Sequence, residues 1–99
     1  MSYEIVFTDT SRKQFKKLEK DIQERIIKAL ERIRIRPEVH VKKLVGDLGY
    51  RLRAGEYRII LDIEKEKLII LVIKIGHRKN IYKNTRRRRV QKSLFFDFS

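Results

Sequence analysis

The sequence predicts an α+β domain: a pair of antiparallel helices on one face of a small antiparallel sheet, in the order β-α-α-β-β-β. Three observations carry that reading. Apolar residues keep a helical period from Ile22 to Ile33, the pattern switches to alternation between Tyr50 and Ile63, and Leu68–Ile75 is almost wholly apolar. The length of 99 residues sets one domain as the expectation. A chain this short buries only about 60–65% of the surface its unfolded form exposes, so it needs a densely apolar core. Fourteen Ile, nine Leu, six Val and five Phe supply one.

Taken in order, Tyr3–Phe7 reads as a short strand, apolar enough to lie inside a sheet. Asp9, Thr10 and Ser11 offer N-cap side chains for a first helix that carries Phe15 and Leu18 on one face. A second helix opens at Asp21, with Glu24 three residues on, a capping box in which Asp replaces Ser or Thr. Its apolar stripe is Ile22, Ile26, Ala29, Leu30 and Ile33, and Arg36-Pro37 ends it, because proline disfavours helical geometry at the residue before it. Two such helices could also form a helix-turn-helix, but nothing marks a recognition helix, and core cover for the sheet is the reading kept. Tyr50–Ala54 and Tyr57–Ile63 follow as strands joined by Gly55-Glu56, a two-residue turn with glycine first. After a turn at Glu64–Lys67, Leu68–Ile75 is expected to be a central strand buried on both faces, stopped by Gly76. From about Arg78 the chain turns basic and is expected to end in a helix or a tail.

Several function classes fall away. With no cysteine there is no disulfide scaffold, thiol catalysis or cysteine-ligated zinc. The two histidines, His40 and His77, sit in no ligand pattern, so neither a metal site nor a cofactor is expected. No apolar run approaches the roughly 20 residues of a membrane span, and the N-terminus lacks the order of a signal peptide. A soluble, cytoplasmic protein is the expectation. Lys plus Arg total 26 against 13 for Asp plus Glu, a formal net charge of +13. Between Lys67 and Phe96 there are ten Lys or Arg and no Asp or Glu. Few Asn and Gln beside many Ile, Lys and Arg also suit a hot habitat, but a surface serving only that end mixes both signs. The lopsided charge points to RNA or the ribosome, ahead of a membrane surface.

The hairpin sharpens this. A two-residue loop pairs Ala54 with Tyr57, Arg53 with Arg58 and Leu52 with Ile59. Tyr50, Leu52, Ala54, Tyr57, Ile59, Leu61 and Ile63 then form a core wall, and Arg51, Arg53 and Arg58 share the opposite face. Arg51 and Arg53 lie about 7 Å apart along their strand, and Arg53 faces Arg58 at about 5 Å between Cβ atoms. Like charges so placed are mildly destabilising, and a bound anion reverses the sign of that term. Three solvated arginines splaying apart is the other reading. In Ile75–Tyr82, Arg78 and Tyr82 are four apart and face the same way on a helical turn. His77, with an ordinary pKa near 6.5, is a possible proton carrier, or a bystander at the surface.

These residues resemble a known family. Tyr50–Ile60, YRLRAGEYRII, and Val72–Tyr82, VIKIGHRKNIY, are similar to two blocks of the RelE/ParE superfamily of toxins from type II toxin–antitoxin pairs. With element order, the resemblance covers about Tyr3 to Tyr82. It divides the chain into a toxin domain, 1–84, and a basic, aromatic extension, 85–99, that is not a separate domain. The family fold is a two-helix hairpin on a small curved antiparallel sheet. The RelE branch, the closer one, cleaves messenger RNA in the ribosomal decoding site without a metal. The resemblance implies catalytic roles for Arg51, Arg53, Arg58, Arg78 and Tyr82. Arg58 would steady the scissile phosphate, Arg78 the leaving 5′ oxygen, and Tyr82 the message. RelE itself has lysines where this chain has Arg51 and Arg53. Arginine cannot act as a base at a pKa above about 12, which leaves His77 as the candidate substitute.

Lys74, Lys79 and Lys83, with Arg86, Arg87, Arg88 and Arg89 of the extension, are candidate RNA contacts acting through counterion release. Leu94, Phe95, Phe96 and Phe98 are candidates for packing or a partner contact. The implied partners are an acidic antitoxin, the ribosome and its message, with operator DNA reached through the antitoxin. Two further readings stay open: a ParE-like inhibitor of DNA gyrase, and a catalytically silent basic RNA-binding module.

Overall fold

The computed structural model describes residues 2–44 and 49–81. Strand β1 is Glu4–Phe7, helix α1 Asp9–Lys16 and helix α2 Lys20–Arg32, and a 3-10 turn follows at Pro37–Val39. Four strands complete the described chain: β2 Lys42–Lys43, β3 Tyr50–Ala54, β4 Tyr57–Glu64 and β5 Ile69–His77. The sheet order is β1-β5-β4-β3-β2. Both helices lie on one face, α1 along β5 and α2 along β3. The α+β architecture of the sequence reading is therefore present, with three corrections. The sheet is mixed, because β1 runs parallel to β5. β1 is an edge strand, with Val6 36% exposed, and β4 is the central one. The two-residue strand β2 adds a fifth member at the far edge.

The core forms where the apolar stripe of α2 meets the inner face of the sheet. Ile26, Ala29, Leu30 and Ile33 pack with Leu52, Ala54, Ile59, Leu61, Ile70, Val72 and Ile75, all buried. Tyr50, Tyr57 and Ile63 complete the wall at its partly exposed margins. Burying a side chain of this size contributes roughly 1.5–3 kcal/mol, which is why a chain with few long elements can hold together.

The helix ends differ from those expected. Thr8, one residue earlier than the three candidates, caps α1, its Oγ1 accepting from the Ser11 N–H at 3.1 Å. The second helix starts at Lys20 after Glu19, with no side-chain cap, so the Asp21–Glu24 box does not form. It ends at Arg32, before Pro37, which instead opens the 3-10 turn. There Glu38 has its carboxyl held below the usual carboxylate range, first by a hydrogen bond from its own backbone N–H and then by Lys65 and Arg36.

Strand β5 carries a bulge that decides which face its residues reach. Ile60 pairs with Lys74 and Leu61 with Val72, so Ile73 is the extra residue. Simple alternation from Ile70 and Val72 would send Lys74 into the core. The bulge shifts the parity, and Ile75 takes that place instead. The irregular backbone is satisfied by α1 and its cap. Ser11 Oγ donates to the Val72 carbonyl at 2.8 Å, Thr8 Oγ1 to the Ile73 carbonyl at 3.2 Å, and the Ile75 N–H donates to Gln14 Oε1 at 2.8 Å. The strand then runs through Gly76 to His77, two residues beyond the expected stop.

Candidate nucleic-acid interface

The β3–β4 hairpin adopts the register its loop length dictates. Ala54 pairs with Tyr57, Arg53 with Arg58, Leu52 with Ile59 and Arg51 with Ile60. Gly55 has φ +63° while Glu56 keeps a negative φ, the pattern of a turn with a left-handed first residue, and it matches the twist of the strands. Leu52 and Ala54 are consequently buried under α2, and Arg51, Arg53 and Arg58 stand on the face opposite α1 and α2.

Cross-strand pairing turns that face into a grid. One row runs Lys42, Arg51, Ile60, Lys74 across β2, β3, β4 and β5. The next row towards the turn is Arg53, Arg58, Gly76. Strands are about 4.8 Å apart and the rows about 7 Å. Beyond the first row, away from the turn, β4 presents Asp62 and then Glu64, so the basic character is confined to the half nearest the turn. Ile60 is 5% exposed amid the cations and gives the face an apolar floor.

The guanidinium of Arg58 bends back to the turn, donating to the Gly55 carbonyl at 2.8 Å and the Tyr57 carbonyl at 2.9 Å. Two carbonyls fix its position without neutralising its charge. Arg78, just past β5, is held at the same end. Its N–H donates to the Glu56 carbonyl at 2.9 Å, and its Nε lies 2.8 Å from Glu56 Oε1. The Nε edge is thereby occupied, and the Nη groups remain to meet an anion.

Gly76 matters for close approach. A Cβ there would point to the arginine face and lie 3.4 Å from the Ile81 side chain. Ile81 is buried, so after β5 the chain folds back over this face. Arg51, Arg53, Arg58 and Lys74 are thus brought onto one face, with Arg78 at its end. Lys79 is exposed on the turn that follows. Tyr82, Lys83, Arg86, Arg87, Arg88 and Arg89 lie outside the described residues, as does the expected final helix or tail.

His77 leaves β5 on the face opposite Arg58 and meets the arginine site at its Glu56–Arg78 end. It pairs with Tyr57, whose face is the helix side, and the two rings meet edge-on at 5.5 Å. Its Nδ1 accepts from the Lys79 N–H at 3.1 Å, and Nε2 lies 3.9 Å from Glu56 Oε1. The strand alternation that put Arg58 on one face puts His77 on the other, and Glu56 Oε1, bonded to Arg78, is the contact His77 shares with the arginine site.

Two residues of the site escape the sequence reading. Lys42 belongs to a strand of two residues, too short to leave a pattern. Glu56 offered a signal, as the one carboxylate between Arg53 and Arg58. A second concavity, about 420 Å³ and lined by Ile5, Val6, Phe7, Arg12, Phe15 and Ile27, lies at the β1 edge and gathers no second charged group. No helix of the described residues is long and apolar enough to cross a membrane.

Comparison with known proteins places these features in a family. The family model described as "ParE toxin of type II toxin-antitoxin system, parDE" matches residues 5–82. The chain is 32% identical over 82 residues to an Escherichia coli protein named as a RelE-like toxin, covering 80% of this chain and 86% of the relative. It is 28% identical, with the same coverage, to the mRNA interferase toxin RelE of Escherichia coli K12. Among solved structures, a chain of the intact E. coli RelBE toxin–antitoxin complex superposes with a TM-score of 0.65 at 29% identity, covering 76% of this chain and 95% of that one.

Proposed function

The chain belongs to the ParE toxin family of type II toxin–antitoxin systems, and from that premise we propose that it is a RelE-type toxin, a ribosome-dependent endonuclease that cuts messenger RNA in the decoding site. The observation that carries this reading is the arginine face. Arg51, Arg53 and Arg58 share the sheet surface opposite α1 and α2, and Arg78 is pinned at its end. Folding gains nothing from placing Arg53 opposite Arg58, whereas a phosphodiester between them meets planar donors in a fixed fork. The identity to the E. coli mRNA interferase RelE favours RNA as the target.

In the reaction we propose, the 2′ oxygen attacks its own phosphorus and the bond to the 5′ oxygen breaks, leaving a cyclic phosphate and a 5′-hydroxyl. Arg58, already oriented by two carbonyls, stabilises the charge that grows on the phosphoryl oxygens. Preorganised donors of this kind typically account for 10²–10³ in rate, or about 2.7–4 kcal/mol. Arg78 meets the leaving oxygen through its Nη groups. Arg51 and Arg53 hold the backbone on either side, and Tyr82 orients the message. Arginine retains its proton in proteins, so the 2′-hydroxyl proton leaves to water or to a group supplied by the ribosome, and the 5′ oxygen, its charge balanced by Arg78, takes up a proton from the same source.

In this reading residues 1–84 form the toxin domain and 85–99 an extension whose arginines grip ribosomal RNA. The partner that restrains the toxin is an acidic antitoxin. A net charge of +13 suits it, and the RelBE complex is a precedent for such a pair. Operator DNA is reached through that antitoxin, and the pair acts in the cytoplasm.

The test is to add the purified protein to programmed ribosomes and map message ends by primer extension, with free RNA as control. Cuts within the decoding codon on ribosomes only, reduced about 10²–10³-fold in Arg58→Ala with ribosome binding retained, are expected. Equal loss of binding and cleavage would remove the assigned role of Arg58. The ParE family match favours gyrase inhibition as the second reading, and absence of cuts together with blocked supercoiling would establish it.

A further inference from the structure

Lys42 is the first residue of the short edge strand β2, and it is exposed. Its Cα partner on β3 is Arg51, so its side chain leaves the sheet on the same face. Lys43 pairs with Tyr50 and belongs to the opposite face, where Tyr50 packs against the core. Adjacent lysines of one strand are thus sorted to opposite sides of the sheet. The first lengthens the row of cations across the strands, and the second does not.

We infer that Lys42 is a phosphate-binding residue of this face, and that the sugar–phosphate backbone of single-stranded RNA crosses the strands from Arg58 on β4, past Arg53 and Arg51, to Lys42 at the β2 edge. The inference rests on the nuclease reading above and adds to it the direction of the strand. Lys42 lies about 12 Å from Arg58, two strand spacings across and one row along, so it would meet a phosphate about two nucleotides from the scissile one. On β4 the basic patch is bounded by Asp62 and Glu64, beyond the row that holds Arg51 and Lys42, and on the β5 side that row continues to Lys74. Lysine suits an outer site better than the centre. It offers a compact charge on a flexible stem and follows a moving phosphate, where arginine fixes one.

The experiment measures binding without cleavage. A short oligoribonucleotide with 2′-O-methyl groups throughout cannot undergo 2′ attack, and its affinity for the full chain is followed by fluorescence anisotropy over a salt series. Each phosphate contact contributes about 0.7 to the slope of log K against log salt for a single strand. Lys42→Ala is expected to flatten the slope by about that amount, and Lys43→Ala by distinctly less. Equal slopes for the two variants would overturn the inference and leave the nuclease reading standing. A selective loss at Lys42, with no cuts on programmed ribosomes, would keep the RNA path and remove the nuclease reading. No salt-dependent binding by the unaltered protein would overturn both. Circular dichroism of both variants separates a folding defect from a lost contact.

Discussion

The two faces of the β3–β4 hairpin are built from alternate residues of the same two strands, and they answer to different demands. On the helix side, Leu52, Ala54, Ile59 and Leu61 are all buried and in contact with α2 or its neighbours. On the other side, Arg51, Arg53 and Arg58 stand with only Ile60 buried among them. Burial explains every residue of the first set. It explains none of the arginines, two of which are direct cross-strand partners. One surface is required by folding and the other is not, and the function proposed above rests on that difference. The comparison can be broken from either side by substitution.

The largest effect belongs to the buried face. Leu61→Ala removes a fully buried side chain at the centre of the sheet, and urea unfolding should show a loss of about 2–5 kcal/mol. A loss below 1 kcal/mol would mean that the core tolerates collapse there and that the helix face is less demanding than its burial suggests. Next comes the arginine face, where Arg58→Ala is expected to cost rate while leaving the same unfolding curve nearly unmoved.

Why one half of this contrast could be read in the sequence and the other half not is itself a matter of physics. The hairpin register was legible because a two-residue loop led by Gly55 permits one pairing, and that pairing assigns every side chain to a face. The α2 stripe was legible for the same reason at a different period. Three features were not. The parallel pairing of β1 depends on a contact with β5 more than sixty residues away, and an apolar tetrad looks alike at an edge or at the centre. The bulge at Ile73 is set by Thr8, Ser11 and Gln14 reaching across from α1, a relation between distant residues that no local pattern records. Lys42 joins the site through backbone pairing alone. The face His77 takes could not be read either, because β5 continues through Gly76 and each extra strand residue reverses a side chain.

A smaller effect is expected at the turn. Glu56 holds Arg78 through Nε and lies 3.9 Å from His77. Glu56→Gln removes an anion from the approach of RNA but also loosens the guanidinium. Exposed ion pairs of this sort contribute about 1 kcal/mol or less, so cleavage should slow by only a few-fold while RNA binding stays the same or tightens. That split marks a positioning role. Faster cleavage in the variant would show instead that Glu56 restrains Arg78.

The smallest effect is the most direct test of the contrast between the faces. Arg53 is exposed, its partner is Arg58, and strand propensity favours a β-branched residue at such a position. Replacing it by threonine removes a like-charge pair, a change of about 0.2–1 kcal/mol in favour of the fold. Arg53→Thr should therefore unfold at the same urea concentration as the parent or a slightly higher one, while binding the uncleavable oligonucleotide more weakly and with a flatter salt dependence. Stability and binding moving in opposite directions is what a site maintained against the preference of the fold requires. Should Arg53→Thr lose more than 1 kcal/mol of stability, Arg53 belongs to the structure, and the arginine face would have to be explained by folding after all.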